Sequence, residues 1–248
     1  MEKEQYFSTR RTIRRYDADR HISDAELTRM IELAAQAPNT GNMQLYSVIV
    51  TREEDAKKRL APAHFNQPSV IGADVVLTFC ADFNRFVKWC EGRNAQPGYD
   101  NFQSFIWAVI DTTIFAQQFC TIAEMNGLGT CYLGTTTYNA PMIADILGLP
   151  SRVVPVVTLT VGYPADKAEI SDRIPVAGIM HNERYEDYDT ARINALYREK
   201  EQREDSKQFV AENHKETLAQ VFTDVRYTRD ANEHFSEVLS EFIRKQGF

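Results

Sequence analysis

Residues 101–135 read NFQSFIWAVIDTTIFAQQFCTIAEMNGLGTCYLGT. From Asn101 to Asn126 there is no Gly or Pro, and Phe105–Ile110 is wholly apolar. A helix that is apolar nearly all round has to be buried, so this segment is expected to be the core helix. Gly127-Leu128-Gly129 stops it, and Thr130–Leu133 opens a strand. Upstream, Ala73–Ala81 is apolar on both faces, as a central strand requires, and Tyr46–Thr51 is a short buried one. Downstream, Met142–Leu147 reads as a short helix, and Val153–Val161 as a fourth strand with Pro155 near its start. Closer to the N-terminus, Ser23-Asp24-Ala25-Glu26 has the S-x-x-E form of a capping box. Leu27, Met30, Ile31 and Ala34 then share one helical face, and Pro38 ends the pattern. Strands separated by helices in this way point to α/β or α+β, with helices packed on the sheet.

Past Pro175 the character changes. Between Glu183 and Lys207, 14 of 25 residues are charged, as in a solvated excursion rather than core. Two amphipathic helices follow, with stripes at Leu218/Val221/Phe222/Val225 and at Phe235/Val238/Leu239/Phe242. Each stripe is narrow and needs a surface to cover, either its own domain or a partner subunit. No internal repeat is present.

Composition excludes several classes of function. The chain has 248 residues, 43% hydrophobic and 25% charged, with a net charge of −7. That is ordinary globular composition, long enough for a real core without metals or disulfides. A pI near 5.3 argues against nonspecific nucleic-acid binding, which needs a field of Lys and Arg. Cys80, Cys90, Cys120 and Cys131 stand singly, without C-x-x-C pairs or His at ligand spacing. They form neither a disulfide framework nor a zinc site and fit a reducing compartment. His21, His64, His181, His214 and His234 are scattered, so no metal is expected. Met1–Gln5 is charged, unlike a signal peptide, and the uncharged run Thr112–Ala123 is short for a membrane span. A soluble cytoplasmic protein with no nucleic-acid or membrane partner is the expectation.

Five segments could carry chemistry. Arg10-Arg11-Thr12-Ile13-Arg14-Arg15-Tyr16 puts four Arg in six residues of an acidic protein. Arg presents a planar fork of donors suited to phosphate, and Thr12 adds a hydroxyl. A solvated basic face has the same composition; Ile13 and Tyr16 look buried and would tie the segment down. Ala37-Pro38-Asn39-Thr40-Gly41-Asn42-Met43-Gln44 offers amide donors and acceptors, as a uracil-like ring edge requires. Asn66-Gln67-Pro68 is another amide in a loop before a strand. Glycines in Gly127–Gly134 would let a flat ligand approach the backbone, or would simply cap a helix and end a strand. Asp172-Arg173-Ile174-Pro175 follows Gly162-Tyr163-Pro164 and holds one more Arg. A nucleophile elbow, a P-loop and a dinucleotide fingerprint are all absent. An Arg–amide–glycine set without an acid/base pair points to a bound cofactor that does the chemistry.

Taken in order, these segments resemble the nitroreductase family of flavoproteins, from Arg10 through the C-terminal helices. The branch resembled is the oxygen-insensitive, NADPH-preferring one that also contains FMN-dependent flavin reductases. The resemblance is carried by Arg11-Thr12-Ile13-Arg14-x-Tyr16, Gly127-Leu128-Gly129-x-x-Tyr132-Leu133-Gly134 and Val161-Gly162-Tyr163-Pro164-Ala165. Phe79-Cys80-Ala81-Asp82-Phe83-Asn84-Arg85 is also similar to that branch. It implies an α+β fold, a mixed, mostly antiparallel sheet flanked by helices. It also implies an obligate homodimer whose C-terminal helices embrace the other subunit, with FMN sites at the interface. Residues 1–180 would be the FMN-binding core, and 181–248 an excursion loop and C-terminal helices of the same single domain.

By the same resemblance, Arg10, Arg11 and Arg173 hold the FMN phosphate with help from Thr12. Arg14 is the catalytic residue, a fixed cation near the flavin N1/O2 edge where reduction leaves negative charge. Asn39, Gln44 and Gln67 hydrogen-bond ribityl or ring atoms, and Tyr132, Leu133, Gly134 and Thr135 line the flavin face. Arg198 and Arg203 belong to a mobile loop that grips the 2′-phosphate of NADPH; a solvated mixed-charge helix end is the other reading of that stretch. One departure stands out: Ser171-Asp172-Arg173 replaces a Lys-Pro-Arg common in the branch, which removes a phosphate cation and adds an anion. The implied activity is ping-pong hydride transfer from NADPH to FMN N5, followed by two-electron reduction of a small-molecule acceptor, a nitroaromatic, quinone or flavin. A reductase devoted to one metabolite, or a flavin-binding protein without turnover, are the alternatives.

Overall fold

The computed structural model describes residues 3–248; the leader reading of Met1–Gln5 falls partly outside them. In chain order the elements begin with α1 (Lys3–Thr9), α2 (Asp24–Ala34), β1 (Tyr46–Thr51), α3 (Glu54–Leu60) and α4 (Pro68–Gly72). Next come β2 (Val75–Asp82), α5 (Asn84–Glu91), α6 (Phe102–Met125), β3 (Gly129–Leu133), α7 (Ala140–Leu147) and β4 (Val153–Gly162). The chain ends with α8 (Thr190–Gln202), α9 (Glu204–Glu212), α10 (Leu218–Val221) and α11 (Arg229–Lys245). Two compact units emerge, one running to Glu169 and completed by Phe235–Phe248, the other Ile170–His234.

The first unit is built on one sheet, ordered β1-β2-β4-β3. Every pairing is antiparallel, so the fold is α+β, as the resemblance implies. β2 is interior and buried along all eight residues, in keeping with its two apolar faces. Alternation sorts its side chains: Val75, Leu77 and Phe79 join Phe115, Phe119 and Leu159 beside α2 and α6. Val76 turns to the opposite face, with Leu60, Val70, Cys131 and Ile143. Pro155 lies inside β4, where β2 shifts register between Phe79 and Cys80. Pairing with β3 starts only at Thr158, so a residue without an N–H is tolerated. The capping box at Ser23/Glu26 forms as the sequence indicates.

Two expectations need correction. Helix α6 is not buried all round: Ala108, Phe115, Phe119 and Ala123 face the core, while Ile110 is exposed and Trp107 half-buried. Its composition hid this, because Asp111, a residue that usually marks an outer face, sits on the buried one. It is a helix long and apolar enough to cross a membrane, and here ten of its residues are buried in the protein. The first of the C-terminal amphipathic stripes is not one helix either. Helix α10 has four residues and passes into a π-helical turn, Phe222–Arg226, leaving Val225 exposed. The second stripe is a true helix, α11, whose Leu239, Phe242 and Ile243 pack against Phe105, Val154 and their neighbours in its own chain. All four cysteines are unpaired and buried.

Candidate functional site

The Arg10–Tyr16 segment runs beside the edge strand β3. Ile13 N donates to Thr130 O at 3.0 Å, Asp17 N to Tyr163 O at 2.8 Å, and Ala165 N to Arg15 O at 3.1 Å. Tyr16 Oη donates to Ile13 O at 2.8 Å and lies 2.7 Å from Thr160 Oγ1. Glycine is required at two of these contacts. A Cβ on Gly129 would lie 2.5 Å from Ile13 Cβ, and one on Gly162 would lie 2.9 Å from Tyr16 Cδ1. Gly127, at φ +83, is the left-handed stop of α6. Among the glycines of 127–134, then, Gly127 serves the fold through its φ and Gly129 through its close contact, while Gly134 borders open space with neither constraint.

The arginines of this segment differ in what they do. Arg10 is clamped by Glu124, with Nε 3.1 Å from Oε2 and Nη2 3.0 Å from Oε1. Tyr6 Oη (2.7 Å) and Thr130 Oγ1 (2.5 Å) donate to the same carboxylate. Burial, with the Glu124 bond added, pushes the Tyr6 phenol well above its usual range. Arg11 donates to Thr9 O and Ala168 O at 3.2 and 3.0 Å. Arg10 and Arg11 line a cleft of about 420 Å³ with Ile13, Glu124, Asp166 and Lys167. Thr12 is half-buried and Arg14 exposed. Arg14 reaches β3: burial raises the Cys131 thiol, and the nearby guanidinium opposes the rise.

The amide loop forms a second group. Asn39 Oδ1 accepts from Gln44 N at 3.1 Å. The buried Asp111 accepts from Thr40 N and Thr40 Oγ1, each at 2.8 Å, and from Leu45 N at 3.4 Å. Asn42 and Gln44 both hold a φ of +56, left-handed backbone that costs energy in a non-glycine residue. Arg85, from the Phe79–Arg85 stretch, donates through Nη2 to Gln44 O.

The third group sits past the end of β3. Gln67 Nε2 donates to Thr135 Oγ1 at 3.5 Å, and His64 Nδ1 lies 2.9 Å from the same oxygen. Tyr132 points its hydroxyl to Gln117 Oε1 at 3.2 Å, Leu133 is buried, and Gly134 is exposed.

Arg173, Arg198 and Arg203 belong to the Ile170–His234 unit. Arg173 Nη1 donates to Asp172 O at 2.7 Å. Asp172 is neutralised by Lys200, whose Nζ is 2.9 Å from Oδ2 and holds the carboxyl below its usual range. Arg173, Lys200 and Arg203 line one small cavity of about 130 Å³ with Asp172. Arg203 joins α8 to α9 and chelates Asp205 at 2.9 and 3.0 Å. Arg198 is exposed on α8. Sequence reasoning missed Glu124, Asp111, His64, Lys167 and Lys200. For Asp111 a signal existed, since it and Glu124 are the two charged residues of α6; the Asp172–Lys200 pair has no local pattern to betray it.

A four-stranded antiparallel sheet with a basic segment docked on one edge strand and amide loops beyond its ends defines an α+β core with a candidate anion-binding edge. Residues 7–163 match the model of the Nitroreductase family, and the chain belongs to that family. It is 31% identical over 179 residues to the oxygen-insensitive NADPH nitroreductase of Salmonella typhimurium, covering 72% of each chain. It is 31% identical over 189 residues to FMN reductase [NAD(P)H] of Bacillus subtilis, covering 75% of this chain and 76% of that one. A Bacteroides fragilis crystal structure superposes with a TM-score of 0.97 at 54% identity over 98% of both chains.

Proposed function

We propose that this protein is an FMN-dependent NAD(P)H oxidoreductase that passes two electrons to small electron-poor acceptors. The observation that carries it is the Arg10–Tyr16 segment, a cation-rich strip locked onto β3 beside a cleft of about 420 Å³. The residues present fit the cofactor. Arg11 and Lys167 add positive charge where Glu124 already answers Arg10 and Arg15 answers Asp166, and that excess suits a phosphate. The Asn39–Gln44 loop and Gln67 suit polar ribityl and ring atoms, and open space at Gly134 admits a flat ring. The chemistry supplied by bound FMN is two-electron transfer between NAD(P)H and an acceptor such as a nitroaromatic, a quinone or a free flavin.

The chain's own work is binding, orientation and charge. Arg10, Arg11 and Thr12 hold the phosphate, and Arg173 keeps the phosphate role implied by the resemblance, beside an Asp172 whose charge Lys200 cancels. Arg14 offers its exposed guanidinium to negative charge that builds on the ligand during reduction. Asn39, Gln44, Gln67 and Tyr132–Thr135 orient the ring. Arg198 and Arg203 bind the 2′-phosphate of NADPH. Both units act as one functional domain, and the enzyme works as a homodimer in the cytoplasm. Exposed Ile110 on α6, with Phe102 and Trp89, supports a second copy as partner, and four unpaired thiols support a reducing compartment.

A visible spectrum of the purified protein, then anaerobic titration with NADPH and with NADH, tests this. A yellow protein bleached faster by NADPH is the expected result. A protein that stays colourless after incubation with FMN defeats the proposal.

A further inference from the structure

His64 is fully buried at the end of a short turn, Ala61–His64. Its neighbours Phe65 and Asn66 are both left-handed, at φ +52 and +53, a costly pair of conformations for non-glycine residues. The strain is held by a tight set of bonds. Phe65 N donates to Pro62 O, Asn66 N to Ala61 O, and Asn139 Nδ2 to Ala63 O at 2.8 Å. The turn sets His64 and Gln67 against one atom, Thr135 Oγ1.

A neutral imidazole has one N–H and one lone pair, and which nitrogen carries the proton is set by partners. Here Nδ1 has Thr135 Oγ1 at 2.9 Å, while Nε2 is buried with no hydrogen-bond partner among the described residues. A proton on Nε2 would leave a buried donor orphaned, the rarer and costlier failure; a proton on Nδ1 leaves only a lone pair. The Nδ1–H form therefore holds. Desolvation agrees, since it keeps the ring neutral by lowering its pKa to about 4.

One consequence reaches the site. Thr135 Oγ1 then accepts from His64 Nδ1–H and, at 3.5 Å, from Gln67 Nε2–H, which occupies both of its lone pairs. Its own proton is left over, one residue after the open backbone of Gly134. We propose that His64 is a positioning residue that fixes the direction of the Thr135 hydroxyl, keeping its proton for an acceptor atom of bound FMN. The inference rests on the FMN reading above.

Three measurements on the full-length protein test it. In 15N-histidine NMR of the FMN-loaded protein, with His64 assigned through H64N, the ring should carry its proton on Nδ1; a proton on Nε2 overturns the proposal. In FMN titration followed by flavin fluorescence, Thr135→Val and His64→Leu should each weaken binding about tenfold, and the double variant no further, because both remove one directed bond. His64→Asn, which puts an amide N–H where Nδ1–H was, should recover most of the loss seen in H64L. Thr135→Val is solvent-side of the packed ring and keeps the test open even where H64L does not fold. Wild-type binding by T135V, with the wild type itself yellow, overturns this proposal alone. A wild type that takes up no FMN removes the functional reading and this proposal with it.

Discussion

Glu124 shows how one side chain can organise the Arg10–Tyr16 segment from across the chain. It accepts from Tyr6, Arg10 and Thr130 together, at an exposure of 8% for its own side chain. Removing one partner of a buried ion pair strands the other. Glu124→Gln is expected to lower stability by about 3 kcal/mol, read as a shift in urea midpoint at unchanged slope. His64 gives the pH signature at this scale. Burial lowers its pKa from 6.5 to about 4, so between these values the unfolded chain takes up a proton that the native one refuses. Stability is therefore full above pH 6.5 and falls as pH drops, by about 1.4 kcal/mol per pH unit and roughly 3 kcal/mol in all. Urea unfolding at pH 7 and pH 4.5 should show a steeper loss for wild type than for His64→Asn; equal losses would contradict it. The sequence offers the arginines and amides of the candidate site because their chemistry is written in residue type. It concealed Glu124 and His64, whose importance comes from what lies across 114 residues in one case and 71 in the other.

Elements carry these residues to their places, and α6 does so twice. Its sheet-facing side builds the core with Phe115 and Phe119, and Asp111 on that side pins Thr40 and Leu45. Asp111→Ala leaves the buried Leu45 N–H and the half-buried Thr40 N–H without that acceptor and should cost about 3 kcal/mol. Faster hydrogen exchange at the Thr40 and Leu45 amides would accompany it, with weaker FMN binding because Asn39 and Gln44 lose their anchor. Unchanged exchange at those two amides would show that the loop is held by something else. All four strands were legible within two residues, since apolar runs bounded by Gly, Pro and Asn mark a strand whatever surrounds it. Strand order and direction were not, as both depend on pairings between segments remote in sequence. The fully buried character assigned to α6 failed for a related reason: composition counts apolar residues, and only packing decides which of them find a neighbour.

At the scale of the whole molecule, the proposed function gives donor choice to the Ile170–His234 unit. Arg198→Ala combined with Arg203→Ala should raise the KM for NADPH about tenfold and leave that for NADH nearly unchanged, as loss of a charge-assisted contact to a 2′-phosphate predicts. An equal rise for both donors would mean these arginines do not read the phosphate. Here the sequence was least informative. The mixed charge of 183–207 reads as a solvated excursion carrying either a mobile arginine loop or a mixed-charge helix end; in the structure it holds two largely exposed helices, α8 and α9, joined at an Arg203 that Asp205 already holds. The four buried cysteines have a bearing on lifetime. Quinones, and partly reduced nitro compounds, are electrophiles that alkylate thiolates. Burial holds the Cys80 thiol up to about 12 and raises those of Cys120 and Cys131, so little thiolate exists to react. Native protein exposed to iodoacetamide at pH 7.5 should gain no mass, while the urea-unfolded chain takes up four adducts. A catalyst that releases reactive products while presenting no nucleophilic sulfur to them is spared self-inactivation by the chemistry it performs.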